Sequence, residues 1–360
     1  MGSIDSIKDN GLAAIYIGAG YSTASGDIRA TAIQSEPSYT SGGESKVEII
    51  VTQSNSDLEI ALGFDLVKKV KFDKIASFQE KLKFLESLKV SETSVCVIVR
   101  STVTLPQVTY EFPVILGGDD TEDTLTTDAA VNAFCMTYGD SYVSVVENSA
   151  QFIGIYKYEC HSLSNKTKLY QELTASGIVD EVLLSASASS AFESKLEKFK
   201  DRQEFSMAAI GCIWSIPSDK NIIETAFEFQ KIDNKNITGI RSFSLEGYEH
   251  VFRTETAQKA FMTVRANREI LSGADQEPGL IQKANAIIRA KGIAEGVKSF
   301  YSWYGVENTD MDNRLTQIKS DLQEYWKLVD DFSLTPTKPF QNIPQIISYS
   351  YGVPSRNCIN

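Results

Sequence analysis

The sequence predicts an α+β fold, and three observations carry that expectation. The first 250 residues hold runs rich in β-branched and aromatic residues, as strands do. After about Thr254 the apolar spacing turns helical. Two stretches between, near 59–90 and 161–200, carry both periods at once.

The elements follow in chain order. Leu12 to Tyr21 is an apolar, strand-like run ending in small residues, and Ser35 to Ser45 reads as a Ser/Gly/Pro loop. Lys46 to Gln53 is a strand. In the next stretch Leu62, Phe64 and Leu66 alternate with Gly63 and Asp65, and Val70 and Phe72 with Lys71 and Asp73. From Ile75 through Phe78, Leu82, Leu85 and Leu88 the step becomes three or four, the helical interval. Ser94–Thr104 and Val108–Leu116 are strands interrupted at Pro106, and Gly117–Thr127 is an acidic loop.

Thr126 or Thr127 caps a helix with Val131, Phe134, Cys135 and Tyr138 on one face, and Gly139 ends it. A strand follows through Ser141–Val146 and Phe152–Tyr158. His161–Lys200 stays open between helix and strand, with small residues alternating over Ser185–Ser189. Phe205–Ile216 is strand-like up to Pro217, and Ile222–Ile237 is strand or helix. Ala257–Leu271, Leu280–Tyr304 and Met311–Phe332 are helical, and the Pro-rich tail ends in a strand-like Ile346–Tyr351. No tandem repeat is visible.

Composition excludes several classes of function. A net charge of -12 repels phosphate backbones, so nucleic acid is not an expected partner. The N-terminus lacks a basic region followed by an apolar one, so no secretory signal is visible and a soluble, cytoplasmic or non-classically released protein is expected. No run reaches the roughly 18–20 apolar residues of a spanning helix, although a barrel assembled later leaves only weak alternating patterns. Five cysteines without CxxC spacing read as reduced, mostly buried thiols.

Enzyme chemistry finds little footing, and neither cofactor nor metal is expected. His161 and His250 are the two histidines, so there is no HExxH and no triad order. Gly18-Ala19-Gly20 could begin a dinucleotide loop, but Thr23 stands where the third glycine belongs. Asp119/Asp120 and Asp330/Asp331 read as solvated charge.

The most informative stretch is Tyr138-Gly139-Asp140-Ser141-Tyr142, followed six residues later by Ser149-Ala150. It resembles the signature of the membrane attack complex/perforin (MACPF) group, in the Tyr-Gly-Asp-Ser-aromatic form found among fungal and bacterial members. Flanking stretches extend the resemblance. Ser56–Glu59 and Glu92–Val99 look like the first insertion region running into a core strand, and Ala208–Ser215, with Trp214, like the strand returning from the second.

The resemblance implies a bent and twisted antiparallel central sheet flanked by two helical clusters, as in the MACPF and cholesterol-dependent cytolysin proteins. The MACPF-like domain would cover 1–270, with insertion regions at about 60–92 and 160–204, and 271–360 would be a helical C-terminal part. The function implied is pore formation. Copies would form a homo-oligomer on a lipid membrane, with a partner protein as a further possibility, and each would refold two helical clusters into β-hairpins. The membrane-inserting candidates are Leu62, Phe64, Leu66, Val70 and Phe72, with Val182, Leu184, Ala186, Ala188 and Phe192. Tyr138, Gly139 and Tyr142 are read as structural.

Two departures bear on motion. Ser149-Ala150 replaces a Gly-Gly pair, and Ser215-Ile216-Pro217 a glycine-rich turn, so a stiffer sheet is expected. The alternatives are a non-lytic MACPF-like binding protein and an unrelated α/β protein. The charges Glu80, Lys81, Lys83, Glu86 and Lys89, with Glu193, Lys195, Glu197, Lys198 and Lys200, are expected either on solvated helix faces or as lumen and hairpin-tip charges.

Overall fold

A computed structural model describes residues 15–54, 57–58, 61–62, 76–88, 90–175, 194, 196, 203–274, 277–284, 287–288, 291, 294–295, 298 and 309–340. In chain order the first elements are β1 (Gly20–Tyr21), β2 (Ile28–Arg29), β3 (Ile33–Tyr39), β4 (Glu44–Thr52) and helix α1 (Ala76–Ser87). Next come β5 (Ser94–Thr104), β6 (Val108–Ile115), the short α2 (Asp119–Glu122), α3 (Asp128–Tyr138) and the 19-residue β7 (Ser141–Glu159). Then follow α4 (Leu163–Ala175), β8 (Gln203–Ile210), α5 (Ile222–Phe229), β9 (Ile240–Gly247), α6 (Glu255–Ser272) and α7 (Thr309–Leu334).

The sheet order runs β2-β1-β7-β5-β4, with β6, β8 and β9 also pairing β7, and β3 pairing β6. The registers β4–β5, β5–β7 and β7–β8 are antiparallel throughout, so the fold is α+β. A parallel doubly wound α/β sheet is overturned by those registers.

Two compact units divide the chain. One takes 37–109 and 145–244, the other 16–36, 110–144 and 245–360. The first unit is organised by the ladder β4-β5-β7-β8, whose residues alternate between two apolar clusters. Val95, Val97 and Val99 of β5 join Val47, Ile49, Phe152, Leu173 of α4 and Ile222, Ala226 and Phe229 of α5. Cys96 and Ile98 face the other way with Ile153, Ile155, Ile210, Phe84 of α1 and Leu88 just past its end. Helices thus cover both faces, which is why β5 reads as an unbroken apolar run from Val95 to Val99. Each fully buried Val or Ile contributes about 1.5–3 kcal/mol.

The second unit is built on an aromatic cluster. Phe134 of α3 lies 5.1 Å from Tyr248 and 5.5 Å from Phe261 of α6, both edge-on, the arrangement favoured by ring quadrupoles. Met311, Leu315, Ile318, Tyr325 and Val329 of α7 supply a buried stripe. Thr127 and Thr254 cap α3 and α6, accepting from Ala130 N and Ala257 N. The acidic loop hides one working charge. Buried Glu122 accepts from Arg253 N and Thr254 N, both at 2.8 Å, satisfying amides at the start of α6.

Several expectations are corrected. In the expected Ser35–Ser45 loop, Ser35–Tyr39 belong to strand β3, which pairs β6 and tolerates Pro37, 40–43 stay outside strands, and Glu44 opens β4. Phe205–Ile216 stops being strand at Ile210, where Gly211 takes φ 71°. Ile222–Ile237 opens as a helix with a full Asn221/Glu224 capping box. Gly18–Gly20 leads into β1 and not into a helix, so no dinucleotide loop forms. The strand-like Ile346–Tyr351 lies outside the described residues.

Candidate functional site

The signature residues fall into two places. In the second unit, Tyr138 closes α3 and Gly139 caps it at φ 83°, ψ 179°, its N–H donating to Cys135 O. A Cβ on Gly139 would lie 2.1 Å from Tyr21 O, so the turn admits glycine alone. Asp140 is buried and accepts from Thr23 N (3.1 Å), Thr23 Oγ1 (2.9 Å) and Ser141 Oγ (3.0 Å).

Burial pushes the Asp140 carboxyl up from its ordinary range, while Arg268 and these donors pull it down. Arg268 donates to Asp140 O at 2.8 Å and pairs with Glu249. Tyr142 is buried and its hydroxyl donates to Glu246, while Tyr248 OH donates to Tyr138 O at 2.8 Å. Each polar group here holds another group of the fold in place. The constellation ties the end of α3 to the start of β7.

Ser149 and Ala150 lie in the first unit, inside β7 and opposite Thr104 and Val103. The glycines that sequence reasoning missed sit beside them. Gly211, just past β8, and Gly239, just before β9, approach so closely that a Cβ on Gly239 would stand 2.6 Å from Gly211 Cα and from Ser149 O. Gly239 N donates to Gly211 O (2.7 Å), and Ser149 N to Gly239 O (2.9 Å). The close backbone approach is therefore served by glycines on neighbouring segments. Trp214 is not on a returning strand; it packs edge-on against Phe229 at 5.0 Å.

The segments that carry α1 and α4 attach at one end of the ladder. Thr52 pairs with Cys96, Ser94 with Glu159 and Tyr158 with Gln203, so four neighbouring strands finish at one end. The chain from β4 to β5 carries α1, and the chain from β7 to β8 carries α4. Each helix-bearing connection thus joins two strands that are already antiparallel partners.

Helix α1 packs through Phe84 and Leu88 on one sheet face, and α4 through Leu169 and Leu173 on the other. Polar contacts fasten the first connection. Glu80 accepts from Gly211 N (3.1 Å), Lys157 Nζ donates to Leu88 O (3.2 Å), and Arg100 donates to Ala61 O while pairing with Glu48 at 2.6 Å. Glu80 and Lys81 are therefore not on a solvated face, whereas Lys83 and Glu86 are exposed as expected.

Among the insertion candidates Leu62 is fully buried, in the cluster that holds Phe84 and Ile98. Phe64, Leu66, Val70, Phe72, Val182, Leu184, Ala186, Ala188 and Phe192 lie outside the described residues. Among the described residues Cys96, Cys135, Cys160 and Cys212 are not in disulfides; burial pushes the Cys96 thiol up to about 12, an inert state. Among the described residues no helix is long and apolar enough to cross a membrane.

The sequence matches no family model and no curated protein. Solved structures do show likeness. A stonustoxin structure aligns at 11% identity and a TM-score of 0.37, covering 89% of this chain and 44% of that one. Astrotactin-2, described as a vertebrate-specific, perforin-like membrane protein, aligns at 9% and 0.37, covering 71% and 45%. A putative cell invasion protein with a MAC/perforin domain from Bacteroides thetaiotaomicron aligns at 10% and 0.27, covering 72% and 61%. The chain spans about half the length of the solved structures it matches. The strand registers stand on their own, and these likenesses add nothing to them about activity.

Proposed function

We propose that the chain is a pore-forming protein of MACPF type, which assembles on a lipid membrane and extends its two helix-bearing connections into β-hairpins. The observation that carries the reading is the shared ladder end: both connections already join antiparallel neighbours, so each hairpin can lengthen in register without exchanging a strand. Hydrocarbon demands closure, because each unpaired backbone group there costs several kcal/mol, and a barrel of many copies satisfies it.

The alternation of side chains supports the same reading. Continuing the Thr52–Cys96 register sets the first turn at Asp73–Ile75. Leu62, Phe64, Leu66, Val70 and Phe72 then share a face with Leu82, Phe84 and Leu88, on the side that carries Cys96 and Ile98. Asp65, Lys69, Lys71, Lys81 and Lys83 fall on the other side. Lys68 and Glu80, charged members of the apolar face with Glu86, stand opposite each other, where their charges offset.

The second register, from Tyr158–Gln203, sets its turn at Asp180-Glu181. It brings Leu163, Leu169, Val182, Leu184, Ala186, Ala188 and Phe192 to that same side, with no Asp, Glu, Lys or Arg on it between 161 and 196. An apolar side for lipid, free of charge in the second hairpin and carrying Lys68, Lys74, Glu80 and Glu86 in the first, set against a charged side for water, follows the pattern of a barrel wall. Each arm is longer than the roughly 9–11 residues a tilted barrel strand needs.

Dye-loaded vesicles of neutral, anionic, sterol- and sphingomyelin-containing composition test the reading. Release at micromolar protein, with rings in electron micrographs, is expected on at least one composition. Full retention on vesicles that bind the protein would replace it with the non-lytic alternative.

A further inference from the structure

Lys81 occupies an unusual position. It lies on α1 beside Glu80, whose carboxylate is engaged by Gly211 N. The nearby charges are mostly its own sign: Arg100 of β5 and Arg241 of β9. The acids that face this cluster are committed elsewhere, Glu48 to Arg100 and Lys46, and Glu147 to Arg241 and Ser242. Among the described residues no hydrogen bond or ion pair falls to the Lys81 ammonium. Burial first, then the two guanidiniums, push its amine down to about 8 from 10.5, so at neutral pH it is charged and uncompensated.

The β5–β7 register says what Lys81 would meet if both helices extended. That ladder pairs Ser94 with Glu159, and Cys160 N already donates to Thr93 O one step further on. Lys81 lies thirteen positions before Ser94, and Glu172, exposed on α4, lies thirteen after Glu159. Continued without a bulge, the register places them directly across from each other, on the side away from the apolar face. In the folded form the sheet separates them, α1 being on one face and α4 on the other.

We propose that Lys81 and Glu172 form a charge switch: an unpaired ammonium that weakens the docking of α1 in the folded protein becomes one half of a cross-strand ion pair when α1 and α4 extend as neighbouring strands. The inference rests on the pore-forming reading and adds to it the register of the two central strands and a source of bias toward release. Opposite charges directly across an antiparallel pair stabilise it, and a buried unpaired charge destabilises the state that holds it.

Two experiments read the two halves separately. Cysteines replacing Lys81 and Glu172 are expected to crosslink on leaking vesicles and to stay unlinked in solution, since a disulfide needs Cα atoms within about 7 Å. Lys81→Cys paired with Tyr170→Cys or Thr174→Cys, each two residues out of register, is expected to link several-fold less. Leakage without the 81–172 link, or with a shifted pair linking best, overturns the register. Absence of leakage from every vesicle, with wild-type protein bound, overturns the pore reading and the switch with it.

The second experiment needs no membrane. Lys81→Met is expected to slow hydrogen exchange of α1 amides by about tenfold or more, within the few-hundred-fold ceiling set by the depressed amine. Lys81→Arg, which keeps the charge, is expected to leave exchange unchanged. Unchanged exchange in Lys81→Met would remove the folded-state half of the switch, whatever the vesicles do.

Discussion

A disulfide engineered between α1 and β8, verified by mass spectrometry, is expected to reduce vesicle leakage to background while membrane binding persists. Helix α1 packs against the sheet through Phe84 and Leu88 and is pinned by Gly211 N on Glu80, so a crosslink adds no strain if it joins positions already in contact. Extension of the first hairpin requires every residue of α1 to leave that face. One covalent tie therefore blocks the whole hairpin, and with it barrel closure. Reduction of the bond should restore release. Full leakage from verified crosslinked protein would take α1 out of the mechanism.

Gly139→Ala is expected to be the most damaging single substitution, costing on the order of 4 kcal/mol or more of the second unit's stability. Two penalties act together. The residue sits at φ 83°, ψ 179°, a region that side chains avoid, and the new methyl would overlap Tyr21 O at 2.1 Å and its carbonyl carbon at 2.4 Å. The backbone cannot yield locally, because Asp140 N donates to Tyr21 O and Asp140 holds Thr23. Urea unfolding followed by near-ultraviolet circular dichroism, which sees the Phe134–Tyr248–Phe261 cluster, measures the loss. Gly42→Ala is the control: φ is 104° there with nothing within 4 Å, so a cost of about 1 kcal/mol is expected. Equal, small effects at both positions would contradict the account of the turn.

Much of the fold was legible because long, uniform periods override local ambiguity. β5 is apolar at every step from Val95 to Val99, where it is buried on both faces, and α7 shows its stripe from Met311 to Phe332. The 3.6-residue spacing over 75–88 likewise marked α1. What escaped was set by tertiary context. Strand β3 hid behind Pro37 and its serines, which suit an edge as well as a loop. β9, with its half-exposed Ile-Arg-Ser-Phe-Ser-Leu-Glu-Gly, was passed over.

The site was half legible. Tyr138–Tyr142 lie in a knot of hydrogen bonds, while the spacing of Ser149-Ala150 and Trp214 pointed away from Gly211 and Gly239. Gly211 and Gly239 lie far apart in sequence and meet only through pairing around Ser149, which no single-chain pattern displays. Lys81 looked like surface charge because a helical wheel cannot show that Arg100 and Arg241 approach from other elements. The alternation over 62–72 is readable in the sequence; the proposed hairpin gives it a meaning by extending the Thr52–Cys96 register.

The proposed rearrangement is tested most directly by a lipid-contact scan along the first connection. Single fluorophores at each position from 62 to 72, on membrane-bound protein releasing dye, would be challenged with nitroxide-labelled lipid. A strand in the wall of a barrel gives a two-residue rhythm: quenching at 62, 64, 66, 70 and 72, and little at the odd positions between. Quenching that recurs every three or four residues, or shows no rhythm while dye escapes, would mean that this chain opens membranes some other way.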